Sequence, residues 1–343
     1  MQSQENARET VTHGADERAA ESSVPVLETR GLGKRFGRRW AVRDLSLKVY
    51  PGEVFGFLGP NGAGKSTTIR MILSLVRPTT GEVLLFGKPL RTHRGEVLAR
   101  AGGLVERADF YLYLTARKNL EIVTSLRGGV PREAIDEVLD VVGLLGRADE
   151  KVKTYSHGMK QRLGIAQALL GSPEFIVLDE PTSGLDPQGI KEVRELISRL
   201  RSERAMTVFL SSHLLHEIEQ TATAMAIINA GTVVAQGPVT ELLRSPVVRL
   251  HLEASPGEAA ERLLRSEPQV TDVHREDARL ECTVPVELIP RLNSRLVEAG
   301  IAVHSLVPRR SLEEFFLSIT EGASEIVPTG RRRPRSGQNG APR

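Results

Sequence analysis

Cysteine, aromatic residues and long apolar runs are all scarce in this chain of 343 residues. The one cysteine, Cys282, excludes an internal disulfide, so the fold does not depend on an oxidising compartment. The longest stretch without a formal charge, residues 220–240, carries Gln, Thr, Asn, Gly and Pro throughout. It therefore lacks the run of about 20 apolar residues that a transmembrane helix requires. The N-terminal residues show no basic start followed by an apolar run, so we expect no secretory signal.

The chain is basic overall, but the excess charge lies near its end. The net charge is +3, whereas residues 323–343 alone carry +4 and residues 1–24 carry −3. The region between them is close to neutral, and the 14 aromatic residues form no basic–aromatic stripe of the kind that stacks on bases. We therefore expect no nucleic-acid partner.

Composition and periodicity predict four regions. Residues 1–24 are polar and aperiodic, which predicts disorder, and the Gly/Pro/Arg-rich residues 323–343 are interpreted in the same way. Residues 25–240 alternate apolar strands with amphipathic helices, which indicates an α/β domain. Residues 241–322 show the order β-α-β-β-α-β followed by a helix, which is typical of a small ferredoxin-like α+β domain.

The predicted elements follow from apolar runs and helical spacing. In the α/β domain we predict strands at 54–58, 175–178 and 208–210, helices at 65–75, 130–142 and 187–201, and a hairpin over 226–235. In the smaller domain we predict strands at 247–254, 269–275, 278–284 and 301–307, and helices at 257–265, 287–298 and 311–320.

The segment from Gly59 to Ser66 fits the pattern G-x-x-x-x-G-K-[ST] between a predicted strand and a predicted helix. Glycines allow successive backbone N–H groups to point inward around a phosphate, and the helix N-terminus adds partial positive charge. We expect Lys65 to reach the β- and γ-phosphates and the Ser66 hydroxyl to ligate Mg²⁺. The alternative interpretation is a flexible glycine loop, which the strand–loop–helix context disfavours.

Two carboxylates follow the apolar run at 175–178. Asp179 emerges at the carboxyl end of the predicted strand, where α/β sheets bind ligands, and it suits completion of a Mg²⁺ shell. Glu180 is placed to orient and deprotonate an attacking water. The alternative is a strand that ends in solvated acids. Together with the glycine loop, the pair predicts a nucleotide phosphohydrolase.

Three further segments indicate which kind. Residues 155–162 (YSHGMKQR) resemble the signature motif of ATP-binding-cassette (ABC) proteins, residues 183–186 (SGLD) resemble their D-loop, and His213 resembles their switch histidine. The resemblance covers about residues 26–240. The signature motif and the SLEEFFL sequence at 311–317 are similar to ATP-binding subunits of bacterial type-2 exporters, which include drug- and antibiotic-resistance transporters.

The resemblance implies a P-loop NTPase fold of the ABC type, with a helical subdomain at about residues 90–165. It implies an ATPase subunit at the cytoplasmic face of the cell membrane that powers a separate membrane permease. No nucleic-acid partner is expected. A second ATP-binding subunit, identical or different, would face it head to tail and share the ATP. The implied ATP contacts are Phe36, Gly59, Pro60, Asn61, Gly62, Ala63, Gly64, Lys65, Ser66, Thr67, Glu106, Ser156, Gly158 and Asp186; the Mg²⁺ ligands are Ser66 and Asp179; the catalytic residues are Lys65, Glu180 and His213.

Three positions depart from the family pattern. His157 replaces the usual glycine of the signature motif, and Glu106 stands where the Q-loop glutamine is expected. An ionised carboxylate at 106 can accept from water or bind Mg²⁺ but cannot donate to phosphate. Phe36 takes the place of the adenine-stacking aromatic, with a core residue as its alternative. Ser156 has the alternative of a helix cap, and His213 that of a loop histidine.

Two questions stay open on the sequence alone. The runner-up function is a soluble ABC ATPase acting on ribosomes or DNA, although such proteins usually carry two cassettes, a long coiled coil or zinc cysteines. A non-catalytic module would be expected to lose Lys65 or Glu180, and both are present. Three aromatics at 110–113 follow the Q-loop position; they either grip a helix of the membrane partner or anchor the helical subdomain to its own core.

Overall fold

The computed structural model describes residues 24–309 except 107, 126–127, 243–246 and 278. The strands are β1 (Leu27–Phe36), β2 (Arg39–Val49), β3 (Val54–Leu58), β4 (Thr80–Leu85), β5 (Lys88–Pro89), β6 (Ala101–Leu104), β7 (Phe175–Leu178), β8 (Thr207–Ser212), β9 (Ala224–Asn229), β10 (Thr232–Pro238), β11 (Val247–Ser255), β12 (Thr271–Glu276), β13 (Arg279–Pro285) and β14 (Ala302–Arg309). The α-helices are α1 (Lys65–Ile72), α2 (Arg94–Ala99), α3 (Ala116–Ser125), α4 (Arg132–Val141), α5 (His157–Leu169), α6 (Pro187–Arg204), α7 (Leu215–Thr221), α8 (Val239–Leu242), α9 (Gly257–Ser266) and α10 (Ile289–Glu298).

A six-stranded sheet of order β10-β9-β3-β8-β7-β6 carries the site. Its strands are parallel except for β10, which returns antiparallel to β9 as the predicted hairpin. β3 and β7 are buried along their whole length, because both faces of the sheet are covered. The carboxyl ends of β3, β7 and β8 meet at one edge of the sheet, and this edge gathers the loops that carry the chemistry.

Two hydrophobic clusters lie on opposite faces of this sheet. Phe55 and Phe57 of β3 pack into the cluster shared with the antiparallel sheet β2-β1-β4-β5. Val54 and Leu58 pack into the other cluster, with α5, α6 and the helices α3 and α4. Successive residues of one strand therefore anchor two different layers, as the two-residue period of a strand requires.

The predicted helix at 65–75 is wrong at its C-terminus, because α1 ends at Ile72. Ser74 adopts a left-handed backbone with φ of 58°. The amides of Leu75 and Val76 then both donate to the Arg70 carbonyl, at 2.8 and 3.1 Å. This turn closes the helix three residues before its apolar pattern ends.

The strands and helices predicted for residues 247–307 are present in the described part of the chain. β11 to β14 form an antiparallel sheet of order β12-β13-β11-β14, and a third hydrophobic cluster joins it to α9 and α10. This is the strand order of the ferredoxin-like arrangement that the pattern predicts. The predicted helix at 311–320 and the segments at 1–23 and 323–343 lie outside the described residues. No helix among the described residues is long and apolar enough to span a bilayer.

Candidate active site

The glycine loop connects β3 to α1, as predicted. Gly62 and Gly64 have φ angles of 80° and 113°, which side chains rarely adopt. A Cβ atom at Gly59 would lie 2.4 Å from the Ile228 carbonyl oxygen, and one at Gly64 would lie 2.6 Å from that of Ala41. Glycine is therefore required here by backbone packing against β2 and β9 as well as by the turn.

Lys65 lies at the N-terminus of α1 with only 5% of its side chain exposed. Its ammonium group donates to the carbonyl oxygens of Gly59 at 2.8 Å and Pro60 at 3.3 Å. It also lies 3.1 Å from Oε1 of Glu180. The cation thus links the glycine loop to the carboxylate that follows β7, two features that are 115 positions apart in sequence.

An open cleft of about 410 Å³ surrounds this contact. Its lining residues are Phe36, Arg39, Ala41, Asn61, Gly62, Gly64, Lys65, Ser66, Thr67 and Glu180. The structure therefore brings together eight residues that were predicted from three separate segments. Arg39 and Ala41 were missed; the basic run around Arg39 in the β1–β2 hairpin was the signal that could have found the former. Gly59, Pro60 and Ala63 shape the loop without lining the cleft.

Phe36 stands at the end of β1 beside the cleft. Its side chain is 53% exposed, so the alternative of a core residue is wrong. The Lys34 ammonium lies 5.1 Å from the centre of the ring. An exposed ring at the mouth of a cleft offers one flat face for stacking on a base.

Asp179 and Glu180 are organised by a serine that the sequence analysis missed. Asp179 is buried at the end of β7 and accepts a 2.6 Å hydrogen bond from the Ser211 hydroxyl on β8. The same hydroxyl oxygen accepts from the Glu180 backbone N–H at 2.9 Å. Glu180 has a left-handed backbone, with φ of 48°. Ser211 therefore stabilises the turn at which the two consecutive carboxylates diverge: Asp179 contacts β8, and Glu180 faces Lys65.

His213 contacts Glu180 directly. Its Nδ1 atom lies 2.7 Å from Oε2 of the carboxylate. When the carboxylate is ionised it can only accept, and Nδ1 is then the donor in this hydrogen bond. His213 lies in the loop that follows β8, and Glu180 stands between its imidazole and the Lys65 ammonium.

Ser156 and Asp186 each cap a helix and lie outside the group that lines the cleft. The Ser156 hydroxyl accepts from the Met159 N–H at 3.2 Å at the start of α5. The Asp186 carboxylate accepts from the Gly189 N–H at 3.1 Å at the start of α6. Gly158 lies beside Gly189, because a Cβ at 158 would stand 3.7 Å from its Cα. The two helix N-termini therefore adjoin each other within one subunit.

Glu106 follows β6 and also lies outside the group that lines the cleft. Its backbone is left-handed, with φ of 61°, and its side chain is 65% exposed. The carboxylate is paired with Arg70 on α1. The Q-loop position is thereby attached to the helix that begins at the glycine loop, instead of facing the cleft.

The comparisons with known proteins agree with this geometry. A protein-family model described as "ABC transporter" matches residues 42–183. The chain is 41% identical to the bacitracin transport ATP-binding protein BcrA of Bacillus licheniformis over 302 residues, which are 87% of this chain and 98% of that protein. It is 38% identical to the daunorubicin/doxorubicin resistance ATP-binding protein DrrA of Streptomyces peucetius, over 86% of this chain and 92% of DrrA.

A solved structure supports the same fold. The dimeric post-hydrolysis structure of the ATP-binding cassette MJ0796, bound to ADP and Pi, superposes with a TM-score of 0.56 at 25% identity. The match covers 62% of this chain and 98% of the cassette. The predicted fold class, a P-loop cassette with mixed α/β sheets, is therefore confirmed.

Proposed function

The chain belongs to the family of ABC transporter ATP-binding proteins, and on this premise we propose that two copies of its cleft close on MgATP and drive an export permease. The ATPase activity comes with the family; the roles of individual residues are our proposal. The observation that carries them is that Glu180, which lines the cleft, contacts both Lys65 at 3.1 Å and His213 at 2.7 Å.

The residues of the cleft suit in-line attack of water on the γ-phosphorus of ATP. Lys65 and the inward N–H groups of the glycine loop stabilise the phosphate charge. Glu180 orients the water and accepts its proton, while His213 holds the Glu180 carboxylate and contacts the γ-phosphate. Phe36 stacks on the base. Each role follows from a position on the cleft wall or from a direct contact with Glu180.

The residues at the metal position fit Mg²⁺. The Ser66 hydroxyl lines the cleft and the Asp179 carboxylate is oriented by Ser211, so the donor set is one hydroxyl and one carboxylate. Mg²⁺ prefers such hard oxygen ligands and usually completes its shell with water and substrate phosphates. When bound, it would neutralise developing charge on the phosphate oxygens.

The second half of the ATP site comes from a partner subunit in this proposal. Ser156 and Gly158 lie at the N-terminus of α5, where the helix presents positive partial charge to an anion. They lie outside the residues lining the cleft of their own chain. A head-to-tail pair would place them against the γ-phosphate held by the other copy, and the dimeric state of the MJ0796 cassette supports pairing of two such domains.

A mixing experiment tests the shared site. Ser156→Arg and Lys65→Ala should each abolish hydrolysis, whereas their equimolar mixture should recover about a quarter of wild-type activity, because half the pairs are mixed and each holds one intact site. Ser202→Arg is the control, since this exposed serine lies near the far end of α6. Full activity of Ser156→Arg alone, or no recovery on mixing, would contradict the shared site.

The permease contact is assigned to the aromatic segment that follows the Q-loop position. Tyr111 and Tyr113 are 52% and 67% exposed, with ring centres 6.2 Å apart, and Leu112 between them is also exposed. Buried Asn119 fixes this segment from α3: its side chain accepts from the Tyr111 N–H at 2.8 Å and donates to the Tyr111 carbonyl at 3.1 Å. A rigid backbone that presents two exposed rings supports an interface instead of a core anchor.

Co-purification tests this assignment. Tyr111→Ala with Tyr113→Ala should leave the melting temperature and ATPase activity of the chain nearly unchanged, and should weaken retention of the permease in detergent extracts. Val297→Ala is the control, because it also shortens an exposed apolar side chain but lies on α10, in a different part of the chain. Early melting of the double variant, or full retention of the permease, would show that the rings serve the chain's own stability.

The transported class and the cellular place are part of the same proposal. BcrA and DrrA are named for bacitracin transport and for daunorubicin/doxorubicin resistance, which supports export of an antibiotic-like compound from the cytoplasmic face of the membrane. Loss of this chain should then increase sensitivity to the exported compound, and Glu180→Gln should fail to restore resistance. We also propose that residues 241–322 form a separate accessory domain. Its own hydrophobic cluster, from Val248 to Ile301, supports this division.

A further inference from the structure

Two of the three consecutive residues 211–213, at the end of β8 and just after it, contact Asp179 and Glu180. Ser211 bonds to Asp179 and to the Glu180 backbone, and His213 bonds to the Glu180 side chain. Ser212, between them, points to a different partner: its hydroxyl donates at 2.8 Å to Oε2 of Glu217 on α7. The end of β8 is thus tied to α7 as well as to the end of β7.

Glu217 is a buried carboxylate, with 7% of the residue exposed. The same Oε2 atom accepts a second hydrogen bond, at 2.7 Å, from the Thr182 hydroxyl. Thr182 is the second residue after Glu180, and Ser212 directly precedes His213. One carboxylate oxygen therefore joins the two backbone segments from which the catalytic carboxylate and the switch histidine project.

We propose that Glu217 is a positioning residue for hydrolysis, which sets the spacing between Glu180 and His213 through its bonds to Thr182 and Ser212. The proposal rests on the roles assigned above to Glu180 and His213. The contacts form a closed ring. The backbone leads from Glu180 to Thr182, and Glu217 joins Thr182 to Ser212 by two hydrogen bonds. The backbone continues from Ser212 to His213, whose 2.7 Å hydrogen bond returns to Glu180. Removing Glu217 leaves that last bond as the only member of the ring that crosses between the two segments.

Stability alone is a poor explanation for this carboxylate. Its Oε1 atom is buried and has no hydrogen-bond partner among the described residues. A buried carboxylate with an unsatisfied oxygen costs folding free energy, and a well-packed apolar side chain at such a place is often neutral or stabilising. The benefit must therefore lie in orientation: charge-assisted bonds are shorter and more directional than neutral ones.

Steady-state kinetics of the full chain separate positioning from folding. Glu217→Ala should lower kcat for MgATP by on the order of ten- to a hundredfold, as loss of an outer partner of a catalytic group typically does, and leave KM nearly unchanged. Glu217→Gln should restore kcat to within about threefold of wild type, because its amide oxygen can accept both hydroxyl bonds. Thr124→Val removes a buried hydroxyl in α3, away from these contacts, and is the control for the loss of a buried hydrogen bond.

The hydroxyl partners supply a second test that does not depend on how Glu217→Ala folds. Thr182→Val combined with Ser212→Ala should lower kcat as much as Glu217→Ala, and adding Glu217→Ala to that pair should lower it little further, since all three changes break one unit. Thr124→Val should not lower kcat.

The proposal is overturned if Glu217→Ala keeps kcat within about twofold of wild type, if its effect falls on KM or on melting temperature alone, or if the three changes act additively. Glu180→Gln serves as the reference. If that variant turns over normally, the assigned role of Glu180 fails; if it is inactive while Glu217→Ala is not, only the positioning role fails.

Discussion

Glu180→Gln should have opposite effects on hydrolysis and on nucleotide affinity. The carboxylate lies 3.1 Å from the Lys65 ammonium, and 5% and 23% of the two side chains are exposed. A triphosphate that binds in the cleft must compete with this carboxylate for the cation. An uncharged amide keeps the shape of the site but competes less, so affinity should rise as kcat falls.

The structure sets the size of the affinity change. Two unit charges at the observed distance attract by about 5 kcal/mol at an effective dielectric constant of 20. Desolvation and the hydrogen bonds that the amide keeps offset most of this, which leaves a net of about 1–2 kcal/mol, or about five- to thirtyfold in the Kd for ATP. Loss of the general base should lower kcat by on the order of 10²–10⁴.

Equilibrium dialysis with labelled ATP and Mg²⁺ measures the Kd, and phosphate release measures kcat. The matched control is Glu195→Gln on α6, which removes one negative charge from an exposed ion pair with Lys191. Wild-type turnover in Glu180→Gln would refute its role as base. Weaker ATP binding than in the control would refute the competition for Lys65.

Three further outcomes follow from the described contacts. Lys65→Ala should raise the Kd for MgATP at least tenfold, because backbone amides alone leave the triphosphate charge uncompensated; an unchanged Kd by dialysis would contradict the glycine-loop assignment. Arg70→Ala should release Glu106 and change ATPase stimulation by the permease more than basal ATPase, and equal effects on both rates would count against a link to the Q-loop. Burial raises the pKa of the Cys282 thiol to about 11, so the native chain should resist alkylation at pH 8 and react after unfolding. Because the folded state then holds its proton more tightly than the unfolded state, the free energy of unfolding should fall as pH rises from about 9 to 11, and a flat pH profile would contradict this.

Local features of the site were predictable because their residues are contiguous. The glycine loop, its flanking strand and helix, and the paired acids after β7 are each specified within a few residues by turn chemistry and apolar runs. The hairpin of β9 and β10 and the elements of residues 247–307 followed from the same periodicities. The C-terminus of α1 could not be predicted in this way, because the left-handed turn at Ser74 ends the helix although the apolar pattern continues past it.

Contacts between distant segments depended on the tertiary structure. Continuous apolar runs show that β7 and β8 are buried, but not that they are neighbours. Their pairing is what brings Ser211 to Asp179 and His213 to Glu180. The attachment of Glu106 to Arg70 likewise depends on where the segment after β6 meets α1.

Short contiguous motifs therefore identify the catalytic groups of this protein from its sequence. The relative positions of those groups depend on which strand ends lie side by side in the sheet. Ser211, Thr182 and Glu217 belong to no motif that spacing alone could identify, since serine, threonine and glutamate side chains are usually solvated. Only the parallel register of β7 and β8 and the packing of α7 bring them together, with Ser211 and Glu217 buried. The low dielectric of this buried site strengthens their hydrogen bonds.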